Sequence, residues 1–280
     1  MDLLESLRFR AGMVRAIRSF FDGRGFTEVE TSVRIAAPAP EPHIDCPPCG
    51  AMFLRASPEL QMKKLLAAGM DNIYQIGPCF REGEKGRRHN PEFTMLEWYR
   101  MGCDYLALLH ETEDLVRALT ARLGREAPAF RRMTVREAYL ECAGWDPFER
   151  FDQDRFDFDM AAKIEPALPR GFVFLVDYPR EAASLSKLRG DVAERWELYH
   201  DGLELANCFT ELCDGKEQRR RFMAAREERS RLGEADYPID EEFLETLPLV
   251  ESAAGAALGV DRLAMALSGA DSIVDVRAMD

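Results

Sequence analysis

The chain has 280 residues, 46% apolar and 31% charged, enough to bury a sizeable core beneath a polar surface. Lys and Arg number 37 against 50 Asp and Glu, a net charge of −13; this excludes a broad nucleic-acid-binding face, which needs positive charge to displace counterions. The first residues, MDLLESLRFRAGMVRAIRSFF, carry Arg and Glu at helical spacing rather than a signal peptide's apolar block. No apolar run is long enough to span a bilayer, and seven scattered cysteines suit a reducing compartment, so a cytoplasmic protein without membrane contact is expected.

In chain order, Leu4, Leu7, Met13, Ile17, Phe20 and Phe21 form one face of a helix over 3–24, ended by Gly25. Phe26 to Val33 reads as a strand, and the proline-rich segment 36–50 as a stiff, extended loop. Cys46 and Cys49 within it have CxxC spacing without a second ligand pair nearby, so they read as unbridged thiols. Phe53–Ala56 is a short strand, and Ser57-Pro58-Glu59 opens a helix to Ala68 with Ser at the N-cap and Pro in the first turn. Strands are expected at Asn72–Arg81 and Phe93–Met101 around a polar loop, followed by an amphipathic helix at Asp104–Leu123. The stretch 125–190 reads as helices and loops with one strand at Phe172–Tyr178. Val192–Tyr199 and Leu203–Leu212 form a hairpin around His200-Asp201-Gly202. Helices at 215–232 and 240–247, a glycine-containing segment at 252–260 and a helix at 261–268 complete the chain. Adjacent antiparallel strands with flanking helices predict an α+β fold in a single domain over 1–280.

The chain has neither a GxxxxGK[ST] loop nor GxGxxG. A nucleotide would therefore be held by side chains, for which the planar fork of arginine is suited. Three segments carry such arginines with matching carboxylates: Phe80-Arg81-Glu82-Gly83 through Arg88-His89-Asn90-Pro91-Glu92-Phe93-Thr94-Met95-Leu96-Glu97-Trp98-Tyr99, then Glu197 to Glu211, then Gly255-Ala256-Ala257-Leu258-Gly259-Val260-Asp261-Arg262. Singly, each has an ordinary explanation as a solvated turn, the wet face of a strand, or a tight entry to a helix.

Together the segments resemble the class II aminoacyl-tRNA synthetases in their lysine-specific form. RHNPEFTMLEWY resembles motif 2, Gly-x-x-x-Gly-Val-Asp-Arg motif 3, and Gly25-Phe26-Thr27-Glu28-Val29-Glu30-Thr31 motif 1. The core begins within the first ten residues, so no anticodon-binding domain is expected. This resembles the free-standing lysyl-tRNA-synthetase paralogues that attach (R)-β-lysine to a lysine of elongation factor P.

The resemblance implies ATP and Mg²⁺ as cofactors and an aminoacyl-adenylate as intermediate. It makes Arg81 the ligand of the α-phosphate and substrate carboxylate, Arg262 the clamp on the γ-phosphate, and both catalytic. Glu82, Gly83, His89, Asn90, Phe93, Glu204, Leu205 and Gly259 complete the nucleotide site, with Phe93 on the adenine and Glu197 and Glu204 holding the metal across the hairpin. Ser57, Pro58, Glu59, Glu97, Tyr99, Asn207, Phe209, Glu211 and Ala257 form the amino-acid pocket. There Glu97 and Glu211 receive the terminal ammonium, because paired carboxylates without a cation repel and a diamino acid supplies one.

The sequence departs from the family pattern at three places. Gly83 stands where a glutamate follows the motif 2 arginine, leaving Glu82 or Glu84 to serve. Ser32 stands for the proline ending motif 1, the segment through which a homodimer is expected. Ala257 replaces a glycine of the tRNA enzymes, which favours β-lysine over lysine. A basic patch drawn from Arg8, Arg10, Arg15, Arg18, Lys85, Arg87 and Arg88 would meet the acceptor protein. The alternatives are aminoacylation of tRNA or a tRNA-like RNA, disfavoured by the charge, and a non-catalytic amino-acid-binding paralogue, disfavoured by the complete arginine and carboxylate set.

Overall fold

The computed structural model describes residues 2–278. Its strands are β1 (Thr27–Glu28), β2 (Arg34–Ile35), β3 (Pro48–Cys49), β4 (Met52–Leu54), β5 (Asn72–Phe80), β6 (Glu92–Met101), β7 (Phe130–Thr134), β8 (Phe172–Pro179), β9 (Leu188–Arg189), β10 (Val192–His200), β11 (Leu203–Thr210) and β12 (Ala253–Gly259). Its helices are α1 (Leu3–Asp22), α2 (Glu59–Ala67), α3 (Tyr105–Arg122), α4 (Val135–Cys142), α5 (Gln153–Asp159), α6 (Glu165–Ala167), α7 (Gly215–Leu232), α8 (Glu241–Thr246) and α9 (Val260–Ser268). Nine strands form one sheet in the order β1-β5-β6-β12-β11-β10-β8-β7, with β9 on β10, while β2, β4 and β3 form a small second sheet. All pairings in the large sheet are antiparallel except β1 with β5 and β7 with β8, so the fold is α+β, as expected.

One sheet face is covered by α1, α3 and α9. Met13, Ile17, Phe20 and Phe21 of α1 pack with Leu108, Leu115 and Val116 of α3, with Leu263 of α9 and with Trp98 and Trp196 from the strands. Helix α1 starts at a reciprocal cap, in which Asp2 accepts from the Glu5 amide at 2.8 Å and Glu5 accepts from the Asp2 amide at 3.1 Å. The opposite sheet face is left free over β6, β12, β11 and β10 to carry polar side chains.

Four local expectations are corrected. The strand expected at 26–33 is only β1, because the chain pairs with β5 over two residues and then leaves for the small sheet. The proline-rich loop contains β3 at the edge of that sheet, where a missing N–H is tolerated. Strand β7 was hidden in 125–190, and it pairs in parallel with β8. The segment 252–260 is a central strand between β6 and β11. Its run of alanines and glycines lacks the branched and aromatic residues that mark strands.

The β10–β11 hairpin turns on Asp201 and Gly202, at φ 49° and 72°, the left-handed pair of a tight two-residue turn. A Cβ on Gly202 would stand 2.7 Å from the Glu165 carbonyl oxygen, so glycine is required there and α6 is held against the hairpin end. Helix α2 begins at Glu59 with Pro58 at its N-cap, one residue later than the expected cap Ser57. Ser57 Oγ still accepts the Glu59 amide at 3.0 Å, but it also donates to Glu97 Oε2 at 2.8 Å. It joins the loop to the site instead of capping in the usual register. Among the described residues no helix is long and apolar enough to cross a membrane.

Candidate active site

Pairing across the central strands lays out the floor of the site. Glu97 lies opposite Ala257, Ala257 opposite Asn207, and Asn207 opposite Glu197. Two residues along, Tyr99, Gly255, Phe209 and Arg195 form the next row. Directly opposed residues share a face, so a lane of small residues on β12 runs between acids on both sides. Gly255 has to be glycine: a Cβ there would strike the Tyr99 ring and come 2.5 Å from Glu211 Oε1.

At one end, the 81–91 loop and the start of α9 enclose a cavity lined by Arg81, Glu84, Arg88, His89, Asn90, Phe93, Glu204, Leu205, Ala257, Gly259 and Arg262, among others. The Arg81 guanidinium lies 5.1 Å from the Phe93 ring centroid and 3.5 Å from Glu84 Oε1, and its Nε is buried without a partner. Arg262 donates to the Glu204 carbonyl at 3.0 Å, and its Nη2 lies 2.7 Å from His89 Nε2. Burial and the Arg262 charge lower the His89 pKa, which favours a neutral ring accepting from Arg262. Asn90 Nδ2 donates to the Glu92 carbonyl at 2.7 Å. Glu82 and Gly83 do not line the cavity; Gly83 turns the exposed loop at φ 78°, where a glutamate would be strained. Of the two substitutes considered, the structure brings in Glu84.

Beside this cavity lies a buried nest of charge. Tyr99 Oη donates to Glu97 Oε1 at 2.6 Å, and Ser57 Oγ holds the other oxygen. Glu59, at the start of α2 after Pro58, and Glu211, at the end of β11, are bridged by Lys63, whose Nζ lies 2.5 Å from Glu59 Oε1 and also contacts Glu211 Oε2. The sequence reading missed Lys63. Its only sequence signal is its place one helical turn after Glu59, which puts both on one side of α2. Burial opposes its charge, but Glu211 and Glu59 outweigh burial and hold it protonated. Three carboxylates therefore face one internal cation, and the nest keeps an acidic surplus. Burial and then Glu59 push Glu97 up to about 7, against hydrogen bonds from Tyr99 and Ser57. Burial pushes Glu211 up to about 8, opposed by Lys63. Phe209 is buried against Leu60, Leu185 and Phe222, and Asn207 Oδ1 accepts from Arg195 Nε at 3.2 Å.

The two acids expected to share a metal are not opposite each other. Glu204 faces Tyr199 and Glu197 faces Asn207, because the register shifts and leaves Leu205 as an extra residue. The Leu205 side chain packs in the main core, which turns its backbone to the cavity. Glu197 Oε2 accepts from Tyr178 at 2.6 Å and Tyr199 at 2.5 Å, while Oε1 is held by Arg195. Glu204 is freer, with 38% of its side chain exposed; desolvation of its carboxylate within the cleft, then Glu197, raise its pKa against Arg262 and Arg81. Burial and then Glu204 and Glu197 also push Glu165 of α6, which sequence reading missed, up to about 7. No three acid, histidine or cysteine groups among the described residues form a ready metal centre. The donor set suits a hard cation that takes one or two carboxylates and completes its shell with phosphates.

The expected basic patch is only partly present. Arg10 is turned inward to Asp261 and Thr94, and Arg18 pairs with Glu28 at 3.0 Å.

Comparison with known proteins agrees with this geometry. The family tRNA synthetases class II (D, K and N) matches residues 2–279. Relatives named elongation factor P--(R)-beta-lysine ligase include one from Proteus mirabilis, 37% identical over 315 aligned positions covering 98% of this chain and 94% of its own. One from Vibrio cholerae serotype O1 is 37% identical over 315 positions, covering 98% and 95%. One from Yersinia enterocolitica is 35% identical over 312 positions, covering 98% and 94%. The family model and these relatives cover nearly the whole chain, and the chain belongs to the class II tRNA synthetase family (D, K and N), in its group of elongation factor P--(R)-beta-lysine ligases.

Proposed function

We propose that this protein activates (R)-β-lysine, or lysine, with ATP as an aminoacyl-adenylate and transfers it to a lysine side chain of elongation factor P. The observation that carries the substrate class is the buried nest of Glu59, Glu97 and Glu211 around a single internal cation, Lys63. An amino acid with two ammonium groups neutralises the surplus; a neutral side chain leaves it buried and unpaired at high cost. In this reading Arg81 stabilises charge at the reacting phosphorus and holds the substrate carboxylate. Arg262, in contact with His89 and the Glu204 carbonyl, clamps the far phosphate in this reading, with Phe93 on the base and Asn90 near the phosphates and substrate. Glu204, with Glu197 beside it, would hold Mg²⁺, which neutralises phosphate charge when bound. Pyrophosphate exchange with each diamino acid, followed by transfer of labelled β-lysine to purified elongation factor P or tRNA, tests this. Exchange supported equally by neutral amino acids overturns the substrate class, and labelling of tRNA alone overturns the acceptor.

Titration gives an independent check. Carboxyls held at about 7 and about 8 bind protons in the folded chain that the unfolded chain has already lost above its ordinary carboxylate range. Their contribution to stability is present below that range and is lost as pH rises through 7 and 8. A diammonium ligand binds the ionised forms, so the melting-temperature shift produced by β-lysine is expected to be larger at about pH 8.5 than at about pH 6. Equal shifts would show that these carboxyls do not titrate on binding.

Ala257 lies between Glu97 and Asn207 and lines the nucleotide cavity, which supports a role for its methyl at the carboxylate end of the substrate. The carboxylate of β-lysine is one carbon farther from its neighbouring amino group than that of lysine. A methylene-sized difference discriminates by about 1–3 kcal/mol. Ala257→Gly is expected to raise lysine relative to β-lysine by about tenfold in kcat/KM for adenylate formation; an unchanged ratio removes Ala257 from isomer choice.

A further inference from the structure

We propose that the cleft between the 40–43 loop, α5 and α7 is the entrance for the lysine-bearing segment of the acceptor protein, with Glu41 meeting the incoming ammonium at its inner end. This rests on the reading of the protein as a ligase acting on a protein lysine. The cleft, of about 740 Å³, adjoins the nucleotide cavity at Asn207, which lines both.

Its walls carry Glu41, Asp152, Asp154, Asp157 and Glu181. The arginines on the same walls are answered by acids of their own: Arg195 by Glu197, Arg221 by Glu217 and Arg231 by Glu228. The surplus is therefore negative, which attracts an ammonium-bearing segment and repels the phosphates of an RNA end.

Gln218 adds an independent sign of an occupant. It is 1% exposed and lines the cleft, yet neither atom of its amide has a partner. An unpaired buried amide is costly, and an entering peptide backbone offers both the carbonyl and the N–H that would satisfy it. Glu41 links this entrance to the reacting centre. Arg229 donates to its carbonyl at 2.7 Å and fixes the loop, while its side chain lies in the field of Glu59, Arg81, Arg195 and Lys63. Ser184 Oγ, at 3.5 Å, is its only side-chain hydrogen-bond contact among the described residues, so the carboxylate remains available to a cation.

The test separates activation from transfer. Asp154 and Asp157 are exposed and lie outside the activation site, so Asp154→Lys/Asp157→Lys is expected to keep pyrophosphate exchange with β-lysine. The same variant is expected to raise KM for elongation factor P by about tenfold and to weaken the salt dependence of transfer. Glu41→Gln is expected to lower transfer about tenfold more than exchange. An unchanged acceptor KM in the double variant, or transfer and exchange falling in step in Glu41→Gln, overturns the entrance. Wild-type enzyme that forms adenylate but transfers it to RNA and not to elongation factor P overturns the acceptor reading, and the entrance with it.

Discussion

Replacing Arg81 by alanine is expected to slow pyrophosphate exchange by about a hundredfold or more, the usual effect of removing one preorganised contact to developing charge. Arg81 starts the loop after β5, its backbone N–H tied to the Pro91 carbonyl at 2.8 Å. Its guanidinium is set between the Phe93 ring and Glu84. The Nε atom is buried and without a partner, and the residue lines the cavity. The fold should survive the change, because Arg81 anchors no other element. The measurement is kcat for exchange beside a melting curve, and near-wild-type exchange in Arg81→Ala would remove the residue from the chemistry.

Glu211→Gln is expected to weaken binding of any diamino acid by about 3–5 kcal/mol, the range for breaking one side of a buried charge pair. The carboxylate is almost fully buried, with one oxygen on Lys63 and the other beneath Gly255. Glutamine keeps the shape and removes the charge, leaving Lys63 with Glu59 alone and reducing the acidic surplus that selects a second ammonium. ATP affinity should be little changed, because Glu211 does not line the nucleotide cavity. Unliganded stability is expected to fall, since the change also removes the charge paired with the buried Lys63. Isothermal titration with β-lysine and with ATP separates these outcomes; a loss falling mainly on ATP would show that Glu211 belongs to the nucleotide site.

Much of this protein was readable from local pattern alone. The apolar face at Met13, Ile17, Phe20 and Phe21 and the Asp201-Gly202 turn are signals carried by residues within a few positions of each other. The strings around Arg81 and Arg262 likewise announce their chemistry, because binding phosphate with side chains demands arginines at set places on a strand-to-loop and a strand-to-helix junction. What tertiary structure alone decided lies where distant segments meet. Strand β12 has the composition of a loop, yet β6 and β11 make it a strand by pairing on both sides, and its small residues are what the crowded side chains above it require. Lys63 reads as an ordinary helix lysine until β11 brings Glu211 against it. Glu197 reads as a free metal ligand, and only the fold brings Arg195, Tyr178 and Tyr199 onto its oxygens. Glu41 sits in a proline-rich loop with no motif at all, and only the approach of Arg81, Arg195 and α7 gives it a place. Local residues determine which elements form, whereas the charge state and partners of a buried group depend on every element packed around it, and sequence order does not record those neighbours.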